Sequence, residues 1–87
     1  MTAALVYVTC ADKSEAERVG QALVEAKLAA CVNILDGMQS MFWWGGQVEK
    51  DSETVLIAKT RVGLVGRLNE KVAAVHSYET PCVVAVP

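Results

Sequence analysis

Hydrophobic and polar residues follow each other along this chain with two different periods, and the switches between them mark its elements. Leu5-Val6-Tyr7-Val8-Thr9-Cys10 is β-branched and aromatic, with apolar side chains at both parities, and predicts a strand buried on both faces near the middle of a sheet. Asp12-Lys13-Ser14-Glu15 then sets a capping acid three residues ahead of a glutamate. Ala16, Val19, Ala22, Leu23 and Ala26 follow at helical spacing, so an amphipathic helix of about four turns is expected, with Glu17, Arg18, Gln21 and Glu25 toward solvent. Ala30 to Leu35 is a second apolar stretch, and the amide of Asn33 within it needs partners if it is buried. Two turn signals compete next, Asp36-Gly37 and Gly45-Gly46. The reversal is expected at Gly45-Gly46, joining two long strands, with Gly37 as a bulge or kink in the first. Val55-Leu56-Ile57-Ala58 is again apolar at both parities and predicts another interior strand. From Val62, the positions Val65, Leu68, Val72 and Val75 predict a second helix ending near His76, in which Gly63 and Gly66 each cost about 1 kcal/mol relative to alanine. Thr80-Pro81 forces extended backbone, and Cys82 to Val86 is a last strand.

The order β-α-β-β-α-β is the split βαβ, or ferredoxin-like, arrangement. It is an α+β fold with a four-stranded antiparallel sheet and both helices on one face. With 87 residues and neither repeat nor linker, residues 1–87 make a single domain. Such a sheet leaves one face to water, so its strands should alternate apolar and polar. Several do not. Phe42-Trp43-Trp44 places three of the five aromatic residues in a row, and successive strand side chains point to opposite faces. One copy cannot shelter both sets, and the expectation is that Phe42, Trp43 and Trp44 are subunit contacts.

Composition sharpens that expectation. Hydrophobic residues make up 53% of the chain and charged ones 21%, which excludes a disordered or collagen-like class and leaves a small domain with more apolar surface than it can bury. Eight basic against ten acidic residues give a net charge of −2 with no basic stripe, so no nucleic-acid partner is expected. The longest uninterrupted apolar run, Ala3 to Val8, falls far short of the roughly 20 residues of a membrane span, and no basic leader precedes it. A cytoplasmic protein with no membrane partner is the expectation. Three cysteines without a CxxC pair suit reduced thiols better than a disulfide framework.

Five linked motifs then carry a family resemblance across essentially the whole chain. They are Val8-Thr9-Cys10 leading into the first helix; Lys27-Leu28-Ala29-Ala30-Cys31-Val32-Asn33; Ser40-Met41-Phe42-Trp43-Trp44-Gly45-Gly46; Glu53 to Thr60, ending Ile57-Ala58-Lys59-Thr60; and His76-Ser77-Tyr78-Glu79-Thr80-Pro81. In this order they resemble the CutA divalent-cation tolerance family. The resemblance implies a homotrimer of ferredoxin-like subunits similar to PII signalling proteins, with long strands reaching between neighbours, and a role in tolerance of divalent metal ions, copper among them. Members of that family usually continue for about twenty residues past the position of Pro87, adding a small strand and a helix that are expected to be missing here. Their common His-Pro-Tyr is His76-Ser77-Tyr78 in this chain. The thiol that some members are proposed to use for copper falls at Val8, with Cys10 two residues on, and a second histidine falls at Val75. Only His76 matches.

The residues themselves offer Cys10, Cys31, Cys82, Met38, Met41 and His76 to a soft cation such as copper, or to another divalent ion. None is spaced as a local chelate. His76 at a helix end reads either as a capping imidazole favoured by the helix dipole or as a metal ligand. Cys31 and Cys82 read as core residues of strands, whereas Cys10, between a strand and a cap, is the thiol expected to be reachable, and Cys10 with His76 is the expected metal pair. The same pair is the one Cys/His couple available for nucleophilic catalysis. With no phosphate loop, HExxH or nucleophile elbow, no enzyme is expected and no cofactor is required. The resemblance implies that Cys31, Asn33, Lys59, Tyr78 and Glu79 line a ligand cleft between subunits, where a cation, polar tips and the aromatic Trp43-Trp44 pair would make a small-molecule pocket. The alternative function is therefore a PII-like small-molecule sensor or an interaction scaffold that binds no metal.

Overall fold

The alternation of Val6, Val8 and Cys10 on one face of the first strand, against Leu5, Tyr7 and Thr9 on the other, decides where the core forms. In the computed structural model, which describes residues 2–78 and 81–86, the elements are β1 (Ala3–Cys10), α1 (Lys13–Glu25), β2 (Cys31–Trp44), β3 (Gln47–Arg61), α2 (Val65–Val75) and β4 (Val83–Val86). The sheet order is β2-β3-β1-β4 with antiparallel pairing throughout, the ferredoxin-like topology expected from the sequence. Both β1 and β3 are interior strands. Val6, Val8 and Cys10 of β1 meet Leu56 and Ala58 of β3, and Val19 and Leu23 of α1 with Leu68 and Val72 of α2 close over them, all fully buried. Each large member of this layer stabilises the fold by about 2 kcal/mol. Burial of β1 on both faces does not occur within one chain: Leu5 on the uncovered face is 48% exposed.

Helix α1 starts as its sequence dictates. Asp12 is extended, and its carboxylate accepts the Glu15 N–H at 2.8 Å. Gly20 lies on the buried stripe, where an added Cβ would stand 3.0 Å from a Val32 methyl and 3.3 Å from Leu56, so the missing side chain lets the helix sit close to the sheet. The helix ends in a Schellman motif: the Lys27 N–H donates to the Val24 carbonyl and the Leu28 N–H to the Leu23 carbonyl, each at 3.0 Å, while Leu23 and Leu28 share the core. Lys27 itself has φ 58°, a left-handed conformation that glycine usually supplies at this position.

The β2–β3 hairpin reverses at Gly45-Gly46, with φ of 59° and 80°, as expected. Gly37, at φ 77°, belongs to a bulge in which Asp36 and Gly37 oppose Thr54 alone. The Asp36 carboxylate fixes that bulge by accepting the Gly37 N–H and the buried Thr54 hydroxyl, each at 2.9 Å. At 14 and 15 residues these strands are far longer than the usual five or six, and the extents of 43 × 24 × 21 Å record an arm that projects beyond the helices. The second helix is shorter than expected. A 3-10 turn at Val62–Leu64 holds Gly63, so the glycine cost to α2 falls on Gly66 alone.

Candidate functional site

Three donors from three elements meet at one end of the core. Cys10 ends β1, Glu15 sits in the first turn of α1, and His76 caps the C-terminus of α2; their Sγ, carboxylate and ring-nitrogen atoms all lie within 4.8 Å of one another. Glu15 is a buried carboxylate held by a full set of donors: the Ala11 and Ser77 N–H groups, each at 2.9 Å, and Arg18 at 3.4 Å, with His76 Nε2 at 3.7 Å. Burial alone would raise its pKa, but these backbone and hydroxyl donors, with His76 beside them, hold it below the ordinary 4.5.

The hydrogen bonds of His76 assign its tautomer. The Tyr78 N–H donates to Nδ1 at 3.0 Å, so Nε2 carries the hydrogen and donates it to the Thr9 carbonyl at 2.7 Å. The ring is wholly buried and neither nitrogen is free. It ties the end of β1 to the segment after α2 and does not bond the carbonyls of its own helix.

The cysteines invert the expectation drawn from their sequence context. Cys10 is fully buried, whereas Cys31 and Cys82 are exposed. Parity explains it: Cys10 continues the inward row of Val6 and Val8, while Cys31 and Asn33 alternate with the inward Val32 and Ile34. Burial, with the carboxylates of Glu15, Asp12 and Glu53 around it, pushes the Cys10 thiol up to about 11. A protonated thiol beside an imidazole with both nitrogens committed is a poor nucleophile. A Cys31→Ser/Cys82→Ser variant is therefore expected to give almost no signal with a disulfide reagent at neutral pH until denaturant is added; rapid labelling of the folded variant would contradict the burial of Cys10.

The residues expected to line one cleft divide into two groups within the chain. Cys31 pairs directly with Lys59, and Asn33 stands exposed two residues along β2. Tyr78 lies at the other end, where its hydroxyl donates to Glu53 at 3.0 Å while the Ser40 hydroxyl donates to the second Glu53 oxygen at 2.7 Å. Burial and the Glu53 carboxylate push the Tyr78 phenol up to about 12. Lys59 lies six positions along β3 from Glu53, roughly 20 Å of strand. Only neighbouring copies can bring the two groups together. Glu79 lies outside the described residues. Phe42, Trp43 and Trp44, near the hairpin tip, are 43%, 71% and 72% exposed in the single chain.

The family model described as CutA1 divalent ion tolerance protein matches residues 4–87. The chain belongs to that family. It is 45% identical over 82 residues to the divalent-cation tolerance protein CutA of Archaeoglobus fulgidus, covering 94% of this chain and 79% of that one. The chloroplastic protein CutA 1 of Oryza sativa is 46% identical over 83 residues, 95% of this chain, which spans about half (47%) of the plant protein. Solved CutA structures share the fold: CutA1 from Oryza sativa at TM-score 0.94 and 45% identity, covering 98% of this chain and 78% of that one, and CutA from Xylella fastidiosa at TM-score 0.95 and 34% identity, covering 100% and 84%. Family names of this kind describe tolerance of divalent cations and name no reaction. Among the described residues no helix is long and apolar enough to cross a membrane.

Proposed function

We propose that this protein acts in tolerance of divalent metal ions as a homotrimer that binds copper weakly and performs no catalytic step. The match to the divalent ion tolerance family over residues 4–87 carries the reading. Assembly is supported by the arm: a two-stranded ribbon that exposes Trp43 and Trp44 is marginal in water without a partner surface, and its strands are long enough to reach one. The uncovered sheet face, with Leu5, Val84 and Val86 about half exposed, supplies a matching apolar surface.

Cys10, Glu15 and His76 offer sulfur, oxygen and nitrogen donors suited to a soft or borderline cation. A cation held there displaces the thiol proton and the hydrogen bond from His76 to Thr9, which makes the binding weak. Three free thiols, two of them exposed, suit a reducing compartment, and the cytoplasm is the compartment we propose. Equilibrium dialysis of the purified protein against micromolar Cu(II) and Cu(I) tests the metal assignment. Partial loading that falls in Cys10→Ser supports it. No copper retained by the parent protein ends it, and the role in tolerance is then indirect.

A further inference from the structure

Strand parity places five of the six charged residues of β3 in one row, and only Lys50 falls in the other. Lys59 pairs with Leu5 and Arg61 with Ala3, so both stand on the sheet face that the helices leave uncovered. Val86 flanks Leu5 on its other side, and Leu5 and Val86 are about half exposed, so Lys59 borders an open apolar row. The same parity carries Glu53, Asp51 and Glu49 onto the arm, opposite Met38, Ser40 and Phe42. The root of this row is therefore apolar and basic, and its arm is aromatic and acidic.

Neither set of charges is answered within the chain. Among the described residues the ion pairs join Arg18 and His76 to Glu15, and none reaches Lys59, Arg61 or the three acids. Glu53 and Glu49 accept hydrogen bonds from neutral side chains alone, Ser40 and Tyr78 for the first and Gln47 for the second. Acids at every second position stand about 7 Å apart along the strand and repel one another. Asp51 and Lys59 are eight positions apart on β3, roughly 26 Å, too far for their side chains to meet in one copy. A second copy laid with like ends together would set acid on acid and base on base. Laid head to tail, it answers both sets.

We propose that the uncovered face is a head-to-tail interface between copies, in which Glu49 and Asp51 on the arm of one copy lie against Lys59 and Arg61 at the root of the next. The aromatic side of the arm then covers the apolar row beside those cations. The pairing rests on the homotrimer reading: in a ring of three, each copy gives one arm and receives one, so every charged stripe is used. Apolar burial supplies the affinity, and charge fixes which end of the partner lies where.

Lys59→Glu/Arg61→Glu and Glu49→Lys/Asp51→Lys each make every junction like-charged, and each is expected to weaken assembly at least about tenfold in sedimentation across a dilution series. The variant carrying all four changes reverses every junction and is expected to return to within about threefold of the parent. Glu17→Lys/Glu70→Lys, which changes net charge equally but lies on the helices, should change nothing. On the parent protein itself, raising sodium chloride from about 0.05 to about 0.5 M is expected to weaken assembly several-fold. An assembled parent indifferent to salt, or a four-site variant no better than its two halves, would overturn this interface and leave the homotrimer reading standing. A parent chain that never assembles would end both.

Discussion

Trp43→Ala and Trp44→Ala are each expected to weaken the proposed homotrimer by roughly 3 kcal/mol or more, and the double variant to sediment as a single chain at concentrations where the parent protein is assembled. The two side chains point to opposite faces of the ribbon, opposite Val48 and Gln47 respectively, so no single surface within the chain can cover both. At 71% and 72% exposure each leaves most of its area in water, and an aromatic of this size buries on the order of 150 to 250 Å² when a partner takes it. At about 25 cal/mol per Å² that is the largest apolar gain available to a single side chain among the described residues. Analytical ultracentrifugation across a dilution series reads the outcome. A parent protein that stays a single chain throughout, or a double variant that assembles as well as the parent, removes the arm from the interface.

Glu15→Ala is expected to cost about 3 kcal/mol of folding stability. The substitution leaves the Ala11 and Ser77 N–H groups without their acceptor, each worth about 1 to 3 kcal/mol when orphaned, and opens a gap beside Cys10 and His76. The same carboxylate sets an acid limb. Because its folded pKa lies below the ordinary 4.5, its contribution is fully present above that value and is lost as pH falls through the folded one. Asp36 is lowered as well, through its hydrogen bonds from the Thr54 hydroxyl and the Gly37 N–H, and acts with the same sign. Glu15→Gln separates the two, since it keeps the size and one acceptor but cannot titrate. Denaturant unfolding between pH 7 and pH 3 should show a shallower decline for Glu15→Gln than for the parent chain; parallel curves would mean that Glu15 contributes nothing to the acid sensitivity.

The element order, the reversal at Gly45-Gly46 and the bulge at Gly37 were all legible, because alternation, capping and turn chemistry act over a few residues and leave local marks. Cys10 could have been read as buried too, since it extends the row of Val6 and Val8; its place between a strand and a cap suggested access that the parity denies. What sequence spacing does not carry is the partner across the fold. Asp12 and Glu15 are visible as a capping pair, but the third acceptance by Glu15, from Ser77, spans 62 positions, and the Tyr78–Glu53 bond spans 25. Lys27 gave no sign at all, because a left-handed lysine looks like any other solvent-facing residue at a helix end. The expected cleft lies between subunits, and its residues carry no mark of which copy supplies them: Lys59 and Tyr78 belong to motifs of one resemblance but stand at opposite ends of one strand's length within the chain.

The extra residue at Asp36-Gly37 has a consequence for how this architecture can vary. It shifts the alternation by one residue between the inner and outer halves of β2, so each indole emerges on the face opposite to the one an unbroken strand would give it. Loss of that one residue would therefore turn the side chains of the arm over while the packed interior kept its register.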